Sequence, residues 1–103
     1  MNRIETLREF LLTNKEDNFL QHALALEYIK DLQDDKAKEL FESILDRDPT
    51  YVGSYYHLGK LLERLDMPSQ AIVIYEKGIS ECKKVNDRHA GNELQSALDD
   101  IIS

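Results

Sequence analysis

Hydrophobic residues recur along the whole chain at the spacing of an α-helix. Six stretches place apolar side chains three and four residues apart, with charged residues on the opposite side. No stretch alternates apolar and polar residues for long enough to predict a strand. The apolar positions are Ile4, Leu7, Phe10 and Leu11; Leu20, Leu24, Tyr28 and Ile29; Ala37, Leu40, Phe41, Ile44 and Leu45; Tyr55, Leu58, Leu61, Leu62 and Leu65; Ala71, Ile74, Tyr75 and Ile79; and Ala90, Leu94, Ala97, Leu98 and Ile101. The pattern predicts an all-α protein of about six helices.

Short polar segments separate the predicted helices. Asp17, Asp34, Thr50 and Asp66 each stand just before an apolar stretch, and their side-chain oxygens can accept hydrogen bonds from the free N–H groups of a first helical turn. We therefore expect these four residues to cap helices. Asp48 precedes a proline, which disfavours the α conformation at Asp48 and ends the helix before it. Because the connections are this short, successive helices should lie antiparallel.

An internal repeat of 34 residues organises the middle of the chain. Shifting the sequence by that length superposes residues of the same size class. The matched pairs are Leu24 and Leu58, Ala25 and Gly59, Tyr28 and Leu62, Ala37 and Ala71, Phe41 and Tyr75, and Leu45 and Ile79. The small pairs suit the close approach of two helices in a hairpin. The aromatic pair supplies the large area between adjacent hairpins.

The residues that match across the repeat also match a known family. They read L-A-x2-Y…A-x3-F…P from Leu24 to Pro49 and L-G…A-x3-Y from Leu58 to Tyr75, and in this the chain resembles the tetratricopeptide repeat family. The resemblance implies a right-handed α-solenoid of antiparallel helix hairpins in one domain, residues 1–103. We expect a leading helix at 1–13, repeats at 18–49 and 52–85, and a capping helix at 87–102. Lys83 replaces the terminating proline of the family, so the fifth helix should continue to about Val85.

Length and charge restrict the class of protein further. The chain has 103 residues, 20 acidic against 13 basic, and a net charge of −7. It has no basic stripe of the kind that nucleic acid binding requires, and no apolar run of about 18 residues that could span a membrane. Cys82 stands alone, which excludes an internal disulfide. Charges at Glu5, Arg8 and Glu9 interrupt any signal-peptide core, so we expect a cytoplasmic protein.

The sequence contains no strong catalytic motif. The sequence has no P-loop and no GxGxxG, HExxH or GxSxG motif, so we predict no enzyme, catalytic residue or cofactor. His22 and His57 are 35 residues apart and should project from equivalent helices. With Glu93 or Asp87 they could in principle bind a metal, but ordinary groove or surface histidines are the preferred interpretation and we predict no metal site. We expect His89 to be a partly buried packing residue.

The resemblance implies that the first helix of each hairpin lines a concave groove in which family members often bind extended peptides or helices. The candidate groove residues are Phe19, His22, Leu26, Ile29, Tyr56, His57, Lys60 and Glu63. In the family's chaperone-binding members cations and asparagines grip a C-terminal carboxylate. Here Leu26 and His57 stand where those asparagines would be, so that specificity is not expected. The groove better suits an apolar or helical ligand with a basic element to match Glu63.

These observations predict a non-catalytic protein–protein interaction module or scaffold whose partner is a protein or peptide segment, with neither nucleic acid nor membrane involved. The alternative is a structural homodimer or assembly subunit. In that case an exposed apolar edge of the leading helix, formed by Leu7, Phe10 and Leu11, would bury itself against a second copy.

Overall fold

Six α-helices make up the fold in the computed structural model, which describes residues 2–103 and has no strand within them. They are α1 (Arg3–Thr13), α2 (Asn18–Lys30), α3 (Asp34–Arg47), α4 (Gly53–Arg64), α5 (Pro68–Val85) and α6 (Arg88–Ile102). The predicted all-α class and the number of helices are confirmed. Helix α5 continues to Val85, as expected from Lys83 in place of proline. Met1, which the expected leading helix included, lies outside the described residues.

Each helix packs against the next one along the chain, and α4 also contacts α6. The array is elongated, with principal extents of 43 × 29 × 19 Å. No helix within residues 2–103 is both long enough and apolar enough to cross a membrane.

The core is filled by the aromatic and small residues that the repeat matches. Phe41 and Tyr75 are completely buried, and so is Tyr55. Gly78 lies at mid-helix in α5, where a Cβ atom would come within 2.8 Å of Tyr55 and Leu94. Neighbouring helices thus press directly on the α5 backbone, and these close approaches hold α4, α5 and α6 together.

The 34-residue repeat extends to the backbone of the turns. Leu32 after α2 and Asp66 after α4 both adopt the left-handed conformation, with φ of 57° and 59°. In both turns the next amide donates to a carbonyl five residues earlier, at 2.9 Å: Gln33 to Tyr28, and Met67 to Leu62. This is the hydrogen bond of a Schellman turn, which satisfies the free carbonyls at a helix end. The same type of turn therefore joins the two helices of each hairpin.

Of the four expected helix caps, one is confirmed and three are wrong. The Asp17 carboxylate accepts the Leu20 amide at 2.9 Å and caps α2. Asp34 is instead the first residue of α3, where it pairs with Arg64. Asp66 forms the left-handed turn just described, and Thr50 hydrogen-bonds to Asp48 in the turn before α4.

Candidate partner-binding groove

A groove of about 670 Å³ opens beside α2, between the start of α1 and the middle of α4. We call it the inner groove. Its lining residues are Arg3, Phe19, His22, Ala23, Leu26, Glu27, Ile29, Lys30 and His57. Five of the eight candidate residues therefore lie together there. The other three, Tyr56, Lys60 and Glu63, belong to α4 but lie outside this lining.

The floor of the inner groove is an aromatic and imidazole cluster that joins α2 to α4. The His22 and His57 rings are 5.4 Å apart between centroids. Phe41 of α3 packs edge-on against His22 at 5.6 Å and stacks on His57 at 6.2 Å. Nδ1 of His22 is hydrogen-bonded to the hydroxyl of Ser54, which is completely buried, at 2.8 Å. At this point the two repeats meet through neighbouring rings and one partly buried hydrogen bond.

The surroundings of the two histidines keep them uncharged near neutral pH. Burial, and to a smaller extent the neighbouring His57, lower the pKa of His22 from 6.5 to about 4. Burial also lowers the pKa of His57, against the opposing influence of Glu93. Because desolvation disfavours the cation, both rings present neutral hydrogen-bonding atoms rather than charge at pH 7.

Apolar side chains form the wall of the groove and charged ones its rim. Phe19 is 71% exposed, whereas Leu26 and Ile29 are half-buried. At the rim Glu27 forms ion pairs with Arg3 at 3.4 Å and with Lys30 at 3.3 Å. The groove therefore offers apolar contact area bordered by cations that share one carboxylate.

On the other side of the histidines, Glu63 is already engaged within the chain. It accepts a hydrogen bond from the Tyr75 hydroxyl and forms an ion pair with Lys60 at 3.8 Å. The Lys60 ammonium also lies 5.8 Å from the centre of the Tyr56 ring. A basic group on a ligand would have to compete with Lys60 for this carboxylate.

No group of three histidine, cysteine or acidic side chains is placed to hold a metal within residues 2–103. Glu93, considered as a partner for the two groove histidines, pairs instead with His89 at 3.6 Å. The expectation that His89 is partly buried is wrong, because its side chain is 90% exposed.

Four lining residues were not among the candidates: Arg3, Ala23, Glu27 and Lys30. Three of them carry a signal in the sequence. Ala23 follows Phe19 by four residues, Glu27 follows Ala23 by four and Lys30 follows Leu26 by four, so the same helical face contains them. Arg3 comes from α1, which precedes the first complete repeat, and the spacing of the repeat does not specify its position.

The predicted apolar edge of α1 is largely used inside the molecule. Leu7 is 5% exposed and belongs to the core, and Leu11 is half-buried against it. Phe10 is the exposed member of the three, at 54%. The arrangement does not favour the homodimer that this edge suggested.

Two helix hairpins built on one 34-residue unit, closed by the same turn and flanked by a helix on each side, define a helical repeat protein. The profile of the tetratricopeptide repeat matches residues 52–84. A tetratricopeptide repeat domain protein of Salinibacter ruber is 42% identical to this chain. The similarity covers 82% of this chain and 94% of that one, with a TM-score of 0.79. The chain therefore belongs to the tetratricopeptide repeat family.

Two further solved structures share the fold. A protein of Bordetella parapertussis is 26% identical, with a TM-score of 0.85 over 99% of this chain and 89% of that one. The MamA protein is 21% identical, with a TM-score of 0.73 over 84% of this chain and 47% of that one. No curated protein matches the sequence significantly. Tetratricopeptide repeats generally mediate protein–protein interactions and are typically scaffolds without enzymatic activity.

Proposed function

We propose that this protein is a non-catalytic interaction module that binds an apolar peptide segment or helix of another protein in the inner groove. The observation that carries the proposal is the groove itself, about 670 Å³ in volume, with Phe19, Leu26 and Ile29 on its wall. Its floor of neutral imidazoles adds hydrogen-bonding atoms without charge. This is the combination of apolar area and few polar groups that binding sites typically show.

Phe19 is the strongest candidate for an energetic anchor. It is 71% exposed, so a partner that covers its ring removes a large apolar area from water. Binding energy at protein interfaces is concentrated in a few such residues, often aromatic and near the centre of the contact. Leu26 and Ile29 extend this patch along the same helix.

A photo-crosslinking experiment tests the proposal. A benzophenone amino acid is placed at Phe19, and in a matched protein at Val73, which is 61% exposed on α5 and lies outside the groove. Crosslinked peptides from a native lysate are identified by mass spectrometry, and the segment recovered is synthesised. We expect the segment to come from position 19 and not from position 73.

The affinity of the synthetic segment is then measured by isothermal titration calorimetry. Leu26→Ser should weaken binding at least tenfold, which corresponds to about 1.4 kcal/mol. Val73→Ser should leave binding unchanged, and circular dichroism should show unchanged helicity in both variants. The assignment of the groove is refuted if the segment binds Leu26→Ser as tightly as the wild type.

A further inference from the structure

We propose that the inner groove responds to pH, because its floor is intact only while His22 and His57 are both uncharged. Acidification would separate α2 from α4 at this point and open the groove. The inference concerns regulation of the binding site and rests on the proposed function for its biological meaning. Its physical basis is the geometry of the floor and does not depend on any partner.

The two rings lie at the point where α2 meets α4. Their centroids are 5.4 Å apart, and Phe41 of α3 packs against both rings. Ser54 fixes His22 through its hydrogen bond at 2.8 Å. Two imidazolium ions at this separation would repel each other, and the partly buried rings would be hydrated incompletely.

The groups that face the rings do not supply the negative charge that two cations would need. From α1 and α2 they are Arg3, Glu27 and Lys30; from the segment before α4, Tyr51; from α4, Tyr56 and Lys60; and from α6, Glu93. Glu27 is already paired with both cations of the rim, and Glu93 favours the His57 cation but is shared with His89. The aromatic rings carry no net negative charge, and Lys60 is itself a cation.

The direction of the pH response follows from the pKa values. Burial lowers the pKa of His22 from 6.5 to about 4 and that of His57 below its ordinary value. A histidine whose pKa is lower in the folded state than in the unfolded state favours folding as the neutral ring. Its contribution is complete above pH 6.5 and is lost as the pH falls toward 4.

A ligand should strengthen the same coupling. An apolar side chain seated over His22 and His57 removes more water from the rings and disfavours their cations further. The ligand therefore binds the neutral form preferentially, and its affinity should fall in the same pH range. Because proton binding and ligand binding are thermodynamically linked, the protonation that opens the groove also releases the ligand.

The test uses the free protein and a neutral nitroxide, TEMPOL, as the probe of groove access. Carbon-13 NMR of the imidazoles follows His22 and His57 between pH 7.5 and 4. In the same samples, relaxation of the Leu26 methyl groups by TEMPOL reports exposure of the wall. We expect both rings to titrate below pH 6.5 and the Leu26 relaxation to rise at least twofold with the same midpoint.

Two variants separate the groove histidines from general acid effects. His89→Gln removes an exposed histidine outside the groove and should keep the Leu26 response, with its midpoint unchanged or moved to higher pH because Glu93, released from His89, favours the His57 cation. The double variant His22→Gln and His57→Gln retains polar side chains that do not titrate, and its Leu26 response should be lost.

The proposal is overturned if either ring titrates at or above pH 6.5, if Leu26 does not respond when the rings do, or if the double variant responds as the wild type does. If the double variant fails to fold, the titration and the Leu26 response of the wild type decide alone. Because no partner is present, a negative result leaves the crosslinking test of the groove unaffected.

Discussion

Gly59 is the residue at which the second hairpin is most directly open to test. A Cβ atom there would lie 2.6 Å from Cζ and 2.7 Å from Cδ1 of Tyr75, where ordinary contacts are 3.4–4 Å. Tyr75 is completely buried, and its hydroxyl donates to Glu63. The ring is therefore fixed at both ends, and Gly59→Ala forces it or the helix backbone to move.

The size of the effect follows from two opposing contributions. Replacing a glycine inside a helix by alanine improves helix propensity by about 1 kcal/mol. Overpacking of a core costs about 1–3 kcal/mol, and a clash with a rigid buried ring belongs at the upper end. We expect Gly59→Ala to lower the free energy of unfolding by about 2 kcal/mol. For a domain of this size that corresponds to a fall in Tm of about 10 °C.

Urea denaturation followed by circular dichroism measures the change, and the other glycines supply the controls. Gly53 has no heavy atom within 4 Å of a built Cβ, and at Gly91 the nearest is Cys82 Cβ at 3.5 Å. Alanine at these two positions should be neutral or should stabilise by up to about 1 kcal/mol. Gly78→Ala should destabilise, as Gly59→Ala does. A Gly59→Ala protein as stable as the wild type would refute the packing argument.

Two further predictions concern single side chains. Asp17→Ala should lower the free energy of unfolding, measured by urea denaturation, by about 1 kcal/mol because it removes the cap of α2. Thr50→Ala should change it by less than about 0.5 kcal/mol because Thr50 caps no helix. Cys82 is 2% exposed and burial raises the pKa of its thiol, so a disulfide reagent should react far more slowly with the native protein than with protein unfolded in urea. Equal rates in the two states would contradict its burial.

Much of the fold could be predicted because the hydrophobic spacing and the repeat act over many residues at once. The turns were harder, since their conformation depends on a single residue. Leu32 and Asp66 adopt the same left-handed backbone 34 residues apart, although one is apolar and the other acidic. An aspartate two residues before a proline suggested a helix cap, and Leu32 gives no local signal for this turn.

The candidate groove was predictable to the extent that the helical face of α2 specifies it. Phe19, Leu26 and Ile29 are separated by helical spacing, and the structure brings them together. The engagement of Glu63 was not predictable, because the Tyr75 hydroxyl reaches it from another helix. Nor could the spacing of the repeat specify Arg3, which lies before the first complete hairpin.

The hydrogen bond from the Tyr75 hydroxyl to Glu63 connects the core to the face of α4 that carries Lys60. The Gly59→Ala substitution can test this connection. If Gly59→Ala displaces the Tyr75 ring, it also breaks the bond from its hydroxyl to Glu63. Tyr75→Phe then removes nothing further in that background, although alone it costs about 1 kcal/mol. A double-mutant cycle should therefore give a coupling energy above about 0.5 kcal/mol, with the double variant more stable than the sum of the single effects predicts. Additive effects would show that the backbone yields and the Tyr75 ring stays in place.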